Sequence, residues 1–140
     1  MEDRTNGPCG FYGAENASEE VRELYRDLRQ VWCLETCSPG LRSKWSETNP
    51  SLGQCSITAL LVQEMLGGKV YGIPLPDGAV HCYNVIDDTV VDLASEQFGG
   101  KVLHYDCRFE QSRDAQFADS GKHERYELLR ERLAALRAER

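Results

Sequence analysis

No stretch of this chain approaches the roughly 20 consecutive apolar residues that a membrane-spanning helix requires. Its opening residues, Met1-Glu2-Asp3-Arg4, form no signal-peptide pattern. A soluble, cytoplasmic protein is expected. Positive charge is also scarce. The net charge is -7 and the sequence pI is near 5.0, which leaves no electrostatic footprint for a phosphate backbone despite local arginines near the C-terminal end. Neither nucleic acid nor a membrane is an expected partner. The chain has no internal repeat and no sign of a second domain, and its 140 residues can bury a core without a metal or a disulfide. One domain over residues 1–140 is expected, with the glycine-rich, polar and aperiodic residues 1–15 as a loose N-terminal arm.

What the chain does have is cysteine: Cys9, Cys33, Cys37, Cys55, Cys82 and Cys107. In a reducing compartment such residues serve as small buried hydrophobes or spare thiols, and reactivity is confined to any that sits where its pKa is lowered. Only Cys55 has such a context. It follows Asn49-Pro50-Ser51-Leu52-Gly53-Gln54 and precedes an amphipathic run, residues 56–66, that reads as a helix. Unpaired N–H groups and the positive end of the helix dipole stabilise a thiolate at that position.

Before it, a first helix is predicted, capped by Asn16 with Glu19 three residues on, with Val21, Leu24, Leu28, Val31 and Trp32 at helical spacing. It ends before the turn Ser38-Pro39-Gly40. A loop over residues 41–53, containing Trp45, then delivers the chain to Cys55. The second helix spans residues 54–66 and stops at Gly67-Gly68. Its Ile57, Leu60, Leu61 and Met65 occupy more than one face, so it is expected to be central. Three strands follow, over residues 69–75, 79–86 and 89–93, with turns at Pro76-Asp77-Gly78 and Asp87-Asp88, as an antiparallel meander. A helical turn at 94–98, a fourth strand over 102–109, a polar connection over 111–121 and a long helix over 122–140 complete the reading. That last helix carries Tyr126, Leu129, Leu133 and Leu136 on one stripe.

If Asp87-Asp88 form a two-residue hairpin loop, Ile86 faces Thr89 and Tyr83 lies opposite Asp92. His81 then shares the face of Tyr83 and sits diagonal to Asp92, about 7 Å away between backbones. The carboxylate can orient the ring and stabilise its charged form. Asn84, the other candidate for that role, points to the opposite face. Cys55, His81 and Asp92, in that order, therefore suggest a thiol catalytic triad. Each also has a structural reading: a packed thiol, a hydrogen-bonded strand histidine and a strand-end turn residue. The ordered set favours the triad.

Around it, Gln54 could donate to an oxyanion beside the Cys55 N–H or could cap or pack. Trp45 and Tyr83 are expected to shape the substrate cleft, and Gln97 to form a wall of it or lie on the surface. Cys33 and Cys37, four apart on one helical face, could contribute to a metal or redox site. No second closely spaced ligand pair accompanies them, and no metal is expected. His104 and His123 lack a supporting pattern.

Several motifs resemble those of the YunG-like family of small bacterial proteins. They are Trp45, Asn49-Pro50-Ser51 with Gly53-Gln54-Cys55, Thr58-Ala59-Leu60, Gly67-Gly68, His81 with Tyr83-Asn84, and Asp92-Leu93 with Glu96-Gln97-Phe98. The resemblance runs from about Thr36 to Arg125-Tyr126, and departs at Cys82, where an aromatic is usual, and at Ala94, where threonine is. The helix-Cys, strand-His, strand-Asp order is in turn similar to transglutaminase-like and papain-like thiol enzymes, which attack a carbonyl to give a thioester. The expected fold is thus α+β of papain/transglutaminase type. The expected function is a thiol-dependent amide hydrolase or acyl transferase acting on a peptide, a glutamine side chain or a small amide or thioester, with no cofactor. The alternatives are a noncatalytic binding or regulatory domain on the same fold, or a cysteine-based metal or redox sensor.

Overall fold

A computed structural model describes residues 9–140. Helix α1 (Glu19–Val31) begins at Ser18, whose hydroxyl accepts the Val21 N–H at 3.3 Å, and not at Asn16 as the sequence suggested. Asn16 instead closes a short 3-10 turn, Ala14–Asn16, leaving Ser18 at the position where a hydroxyl reaches a free N–H. The predicted apolar stripe is buried: Val21, Leu24, Leu28, Val31 and, after the helix, Trp32.

Helix α2 (Cys55–Leu66) buries six consecutive residues, Ile57 to Val62, because it lies between the sheet and the other helices. The Trp32 indole N–H donates to Thr58 Oγ1 at 2.9 Å, which ties the end of α1 to α2 without leaving a buried donor unpaired. The long C-terminal helix α4 (Ser120–Ala138) packs Tyr126, Leu129 and Leu133 onto both. It starts two residues earlier than predicted because the Asp119 carboxylate accepts the Lys122 N–H at 3.1 Å. Its other end is clamped to α1. Arg137 lies 2.9 Å from the carboxylate of Asp27, which Arg140 also pairs, and Asp27 is only 2% exposed. A buried carboxylate stripped of all its partners would cost about 3–5 kcal/mol.

Strands β1 (Lys69–Pro74), β2 (Val80–Ile86), β3 (Thr89–Val91) and β4 (Phe109–Glu110) form one antiparallel sheet in the order β3-β2-β1-β4. Asp87 and Asp88 both have positive φ, 49° and 62°, as a tight two-residue hairpin turn of type I′ needs. The resulting pairs Ile86–Thr89, Val85–Val90 and Asn84–Val91 are those the sequence register predicts. The chain is therefore α+β, with the meander as read.

Four expectations are corrected. The described part of the supposed loose arm is packed: Phe11 is buried, and Tyr12 bridges Asp92 as an extra edge pairing, which is why β3 ends at Val91. Residues 1–8 lie outside the described residues. The fourth strand is only two residues long. Cys107, at φ 54°, breaks the extension, and Tyr105 and the Cys107 N–H turn inward to Asp92 and Tyr83. The polar connection contains a short helix, α3 (Arg113–Phe117), capped by Ser112. Finally, Cys33 and Cys37 do not share a helical face, because α1 has ended and they flank a 3-10 turn, Leu34–Thr36. Among the described residues no helix is long and apolar enough to cross a membrane.

Candidate active site

The approach to α2 is a series of tight turns. Gly53 sits at φ 72°, and a Cβ there would lie 2.5 Å from Cys37 Sγ, so both conformation and space demand glycine. Its carbonyl accepts the Ser38 N–H at 2.9 Å, and Gln54 N–H closes the next turn on Ser51 O at 3.1 Å. No side chain caps the helix that follows, so its first N–H groups and its dipole face the Cys55 thiol and the space beyond it.

That thiol stands beside His81, which is 1% exposed on β2. The ring's Nε2 is 2.6 Å from Asp92 Oδ2, a charge-assisted contact that fixes the ring plane. Its Nδ1 has no hydrogen-bond partner among the described residues, and the other group that acts on the ring is the Cys55 thiol. Asp92 is itself held. Tyr105 O–H donates to Oδ2 at 2.7 Å and the Ala94 N–H to Oδ1 at 3.3 Å. Tyr105 is wedged between Tyr12, stacked at 4.1 Å, and Tyr83, edge-on at 4.9 Å. Phe98 presses edge-on against the His81 ring at 4.8 Å.

The electrostatics follow from this packing. Burial alone would raise the Cys55 pKa, but the His81 hydrogen bond and charge, together with the Cys82 N–H, bring it below the ordinary thiol value. For His81, burial lowers the pKa, while the hydrogen bonds and charges of Asp92 and Cys55 outweigh it and raise it to about 10. Both shifts favour the thiolate–imidazolium form of the pair. Tyr105 is pushed well above the ordinary phenol range by burial and the Asp92 charge, so it remains a neutral donor.

A cavity of about 450 Å³ opens on this pair, walled by Cys55, Ser56, His81, Leu52, Gln97 and Phe98, with further residues from α4. It falls within the size range of small-molecule clefts. Gln97 is placed in the wall, its Oε1 accepting the Gly53 N–H at 3.4 Å and its Nε2 bonding Ala94 O at 3.0 Å. The other three predicted cleft residues lie behind it. Gln54 is fully buried and spends its amide N–H on Cys33 O at 3.0 Å, which answers the choice between oxyanion donor and packing in favour of packing. Trp45 braces the approach loop through Pro50 O at 3.0 Å. Tyr83 is buried under Tyr105 and accepts the Cys107 N–H at 2.8 Å. Asn84 points to the opposite face, as alternation requires, and donates to Ala59 O at 2.9 Å.

Sequence reasoning missed Tyr105, Phe98, Lys122 and Arg125. Tyr105 comes from an irregular segment with no period to read, and the α4 residues reach the cavity only through tertiary packing. Cys37 is buried and Cys33 half-buried, and among the described residues no cluster of histidine, cysteine and carboxylate fits a metal ion.

Comparison with known proteins places the chain in a family. The model of the family described as YunG protein matches residues 20–137. The protein named "Uncharacterized protein YunG" of Bacillus subtilis (strain 168) is 36% identical over 104 residues, covering 74% of this chain and 83% of that relative. No solved structure matches the chain.

Proposed function

We propose that this chain, which belongs to the YunG family, is a thiol-dependent amide hydrolase or acyl transferase built on a papain- or transglutaminase-like plan. The observation that carries the reading is the Asp92–His81 contact beside a Cys55 thiol of lowered pKa, at an uncapped helix start facing a cavity. A buried histidine with a purely structural role has no use for a second nitrogen left facing a thiol.

In this reading Cys55 Sγ attacks the carbonyl carbon of an amide, and the carbonyl electrons move onto oxygen. The N–H groups at the start of α2, that of Cys55 first, receive the oxyanion. As the C–N bond breaks, the His81 imidazolium gives its Nδ1 proton to the departing nitrogen, leaving an amine and a Cys55 thioester. Water or a second amine then attacks the thioester, and His81 takes its proton while the thiolate leaves. Asp92 holds the ring and stabilises its charged form throughout, without being protonated. Substrates of this class include a peptide, a glutamine side chain or a small amide or thioester.

The test is direct acylation. Brief exposure to excess p-nitrophenyl acetate is expected to place one acetyl group on Cys55, seen by intact mass and peptide mapping and removed by hydroxylamine as a thioester is. His81→Ala should slow it about tenfold or more, the thiolate lost at neutral pH for each unit that the Cys55 pKa rises, since p-nitrophenolate leaves without a proton. Acetylation confined to other residues, or none at all, contradicts the proposal and favours a noncatalytic binding domain.

A further inference from the structure

The cavity beside Cys55 is bounded on its far side by the start of α4, and what reaches it from there is charged: Asp119, Lys122 and Arg125. Asp77 enters from the β1–β2 turn. The two carboxylates are already occupied by backbone. Asp119 caps α4 on the Lys122 N–H at 3.1 Å, and Asp77 Oδ1 accepts the Ala79 N–H at 2.9 Å. Asp119 also lies near enough to Lys122 and Arg125 for their charges to help hold its carboxyl below the usual range, so what the cations lack is hydrogen-bond acceptors. Lys122 Nζ donates to the neutral amide oxygen of Gln116 at 2.5 Å, and the Nε of Arg125 is buried without a hydrogen-bond partner among the described residues. Gly121 gives the guanidinium its room, since a Cβ there would stand 3.3 Å from Nη1.

A buried guanidinium nitrogen without an acceptor is costly, and the cost is removed when an anion completes it. Lys122 and Arg125 share this partly enclosed space with Asp77 and Asp119, so its lining carries no excess of positive charge, and what distinguishes it is the open hydrogen-bonding capacity of Arg125. The planar fork of arginine matches a carboxylate in particular. We propose that Arg125, assisted by Lys122, is a carboxylate-recognition subsite, and that the substrate is an amide carrying a free carboxylate placed so that its scissile carbonyl meets Cys55. This rests on the thiol acyl-transfer reading above and narrows its substrate class.

Two measurements test it. The first is the ratio of alkylation rates at Cys55 by iodoacetate and by iodoacetamide, probes of one shape that differ in charge. The ratio cancels any change in thiolate content. Arg125→Gln is expected to lower it about tenfold, the low end of a lost charge-assisted hydrogen bond, and Arg125→Lys to recover part of it. An unchanged ratio in Arg125→Gln overturns the subsite.

The second measurement does not depend on the thiol. Succinate, but not succinamide, should raise the melting temperature of Cys55→Ala protein, and Arg125→Gln should remove the shift. No shift in Cys55→Ala overturns the subsite even where Cys55 is a proven nucleophile. A succinate shift together with an unreactive Cys55 keeps the subsite and defeats the catalytic reading. N-acetylglutamine and N-acetylisoglutamine, which carry the free carboxylate on the backbone or on the side chain, show by the same shift which source the subsite takes.

Discussion

Asp92 is the residue on which the other two members of the site depend. Its oxygens take three donors, His81, Tyr105 and the Ala94 N–H, inside a region from which water is excluded. Against the lowering effect of burial, the hydrogen bonds and charges of Asp92 and Cys55 raise the His81 ring pKa to about 10 from an ordinary 6.5. The sign has a consequence for stability. The stabilisation from this raised pKa is full below about 6.5 and is lost as pH rises through 10. Ring-nitrogen NMR should therefore find His81 charged at neutral pH and losing its proton far into the alkaline range. Cys55→Ala, by removing one of the two raising partners, should lower that pKa, and Asp92→Asn should lower it as well. A His81 ring titrating near 6.5 in the unmodified protein would contradict the thiolate–imidazolium pair.

At the scale of elements, the site is made by two junctions: the turn that enters α2 and the hairpin that pairs β2 with β3. Gly53 governs the first. Gly53→Ala places a side chain at φ 72° against Cys37 Sγ and should cost about 1–3 kcal/mol in unfolding free energy. It should also slow Cys55 alkylation, because the turn sets where the thiol sits. Thermal unfolding and labelling of the variant check both effects, and an unchanged alkylation rate would show that the turn does not position the thiol. The second junction was legible in sequence. A two-residue Asp-Asp loop allows one register, and that register put His81 and Asp92 on one face. Boundaries that depended on partners were not legible. Asn16 and Ser18 are both good caps, and only packing selects Ser18. The fourth strand is mostly irregular because Tyr105 turns in to serve Asp92, a contact with no local signal.

For the whole molecule, charge and thiol burial separate one cysteine from the rest. Cys37 and Cys82 are buried, and burial pushes both thiols above the ordinary range. Cys9, Cys33 and Cys107 are half-buried. Cys55 alone joins a lowered pKa to an open cavity. The sequence had marked it by its place before a helix. The charged groups at the start of α4 were hidden, because Lys122 and Arg125 read as part of a solvated helix until α4 packs over the cavity. The most direct measurement is a competition among all six thiols in the folded protein, labelled briefly with iodoacetamide at pH 7 and pH 6 and read by peptide mapping. Cys55 should be modified first, at least about tenfold ahead, and its lead should widen at pH 6, since ordinary thiols lose about tenfold in thiolate per pH unit below their pKa. Labelling of Cys9, Cys33 or Cys107 ahead of Cys55, or a Cys55 rate that falls with pH as theirs does, would contradict the account.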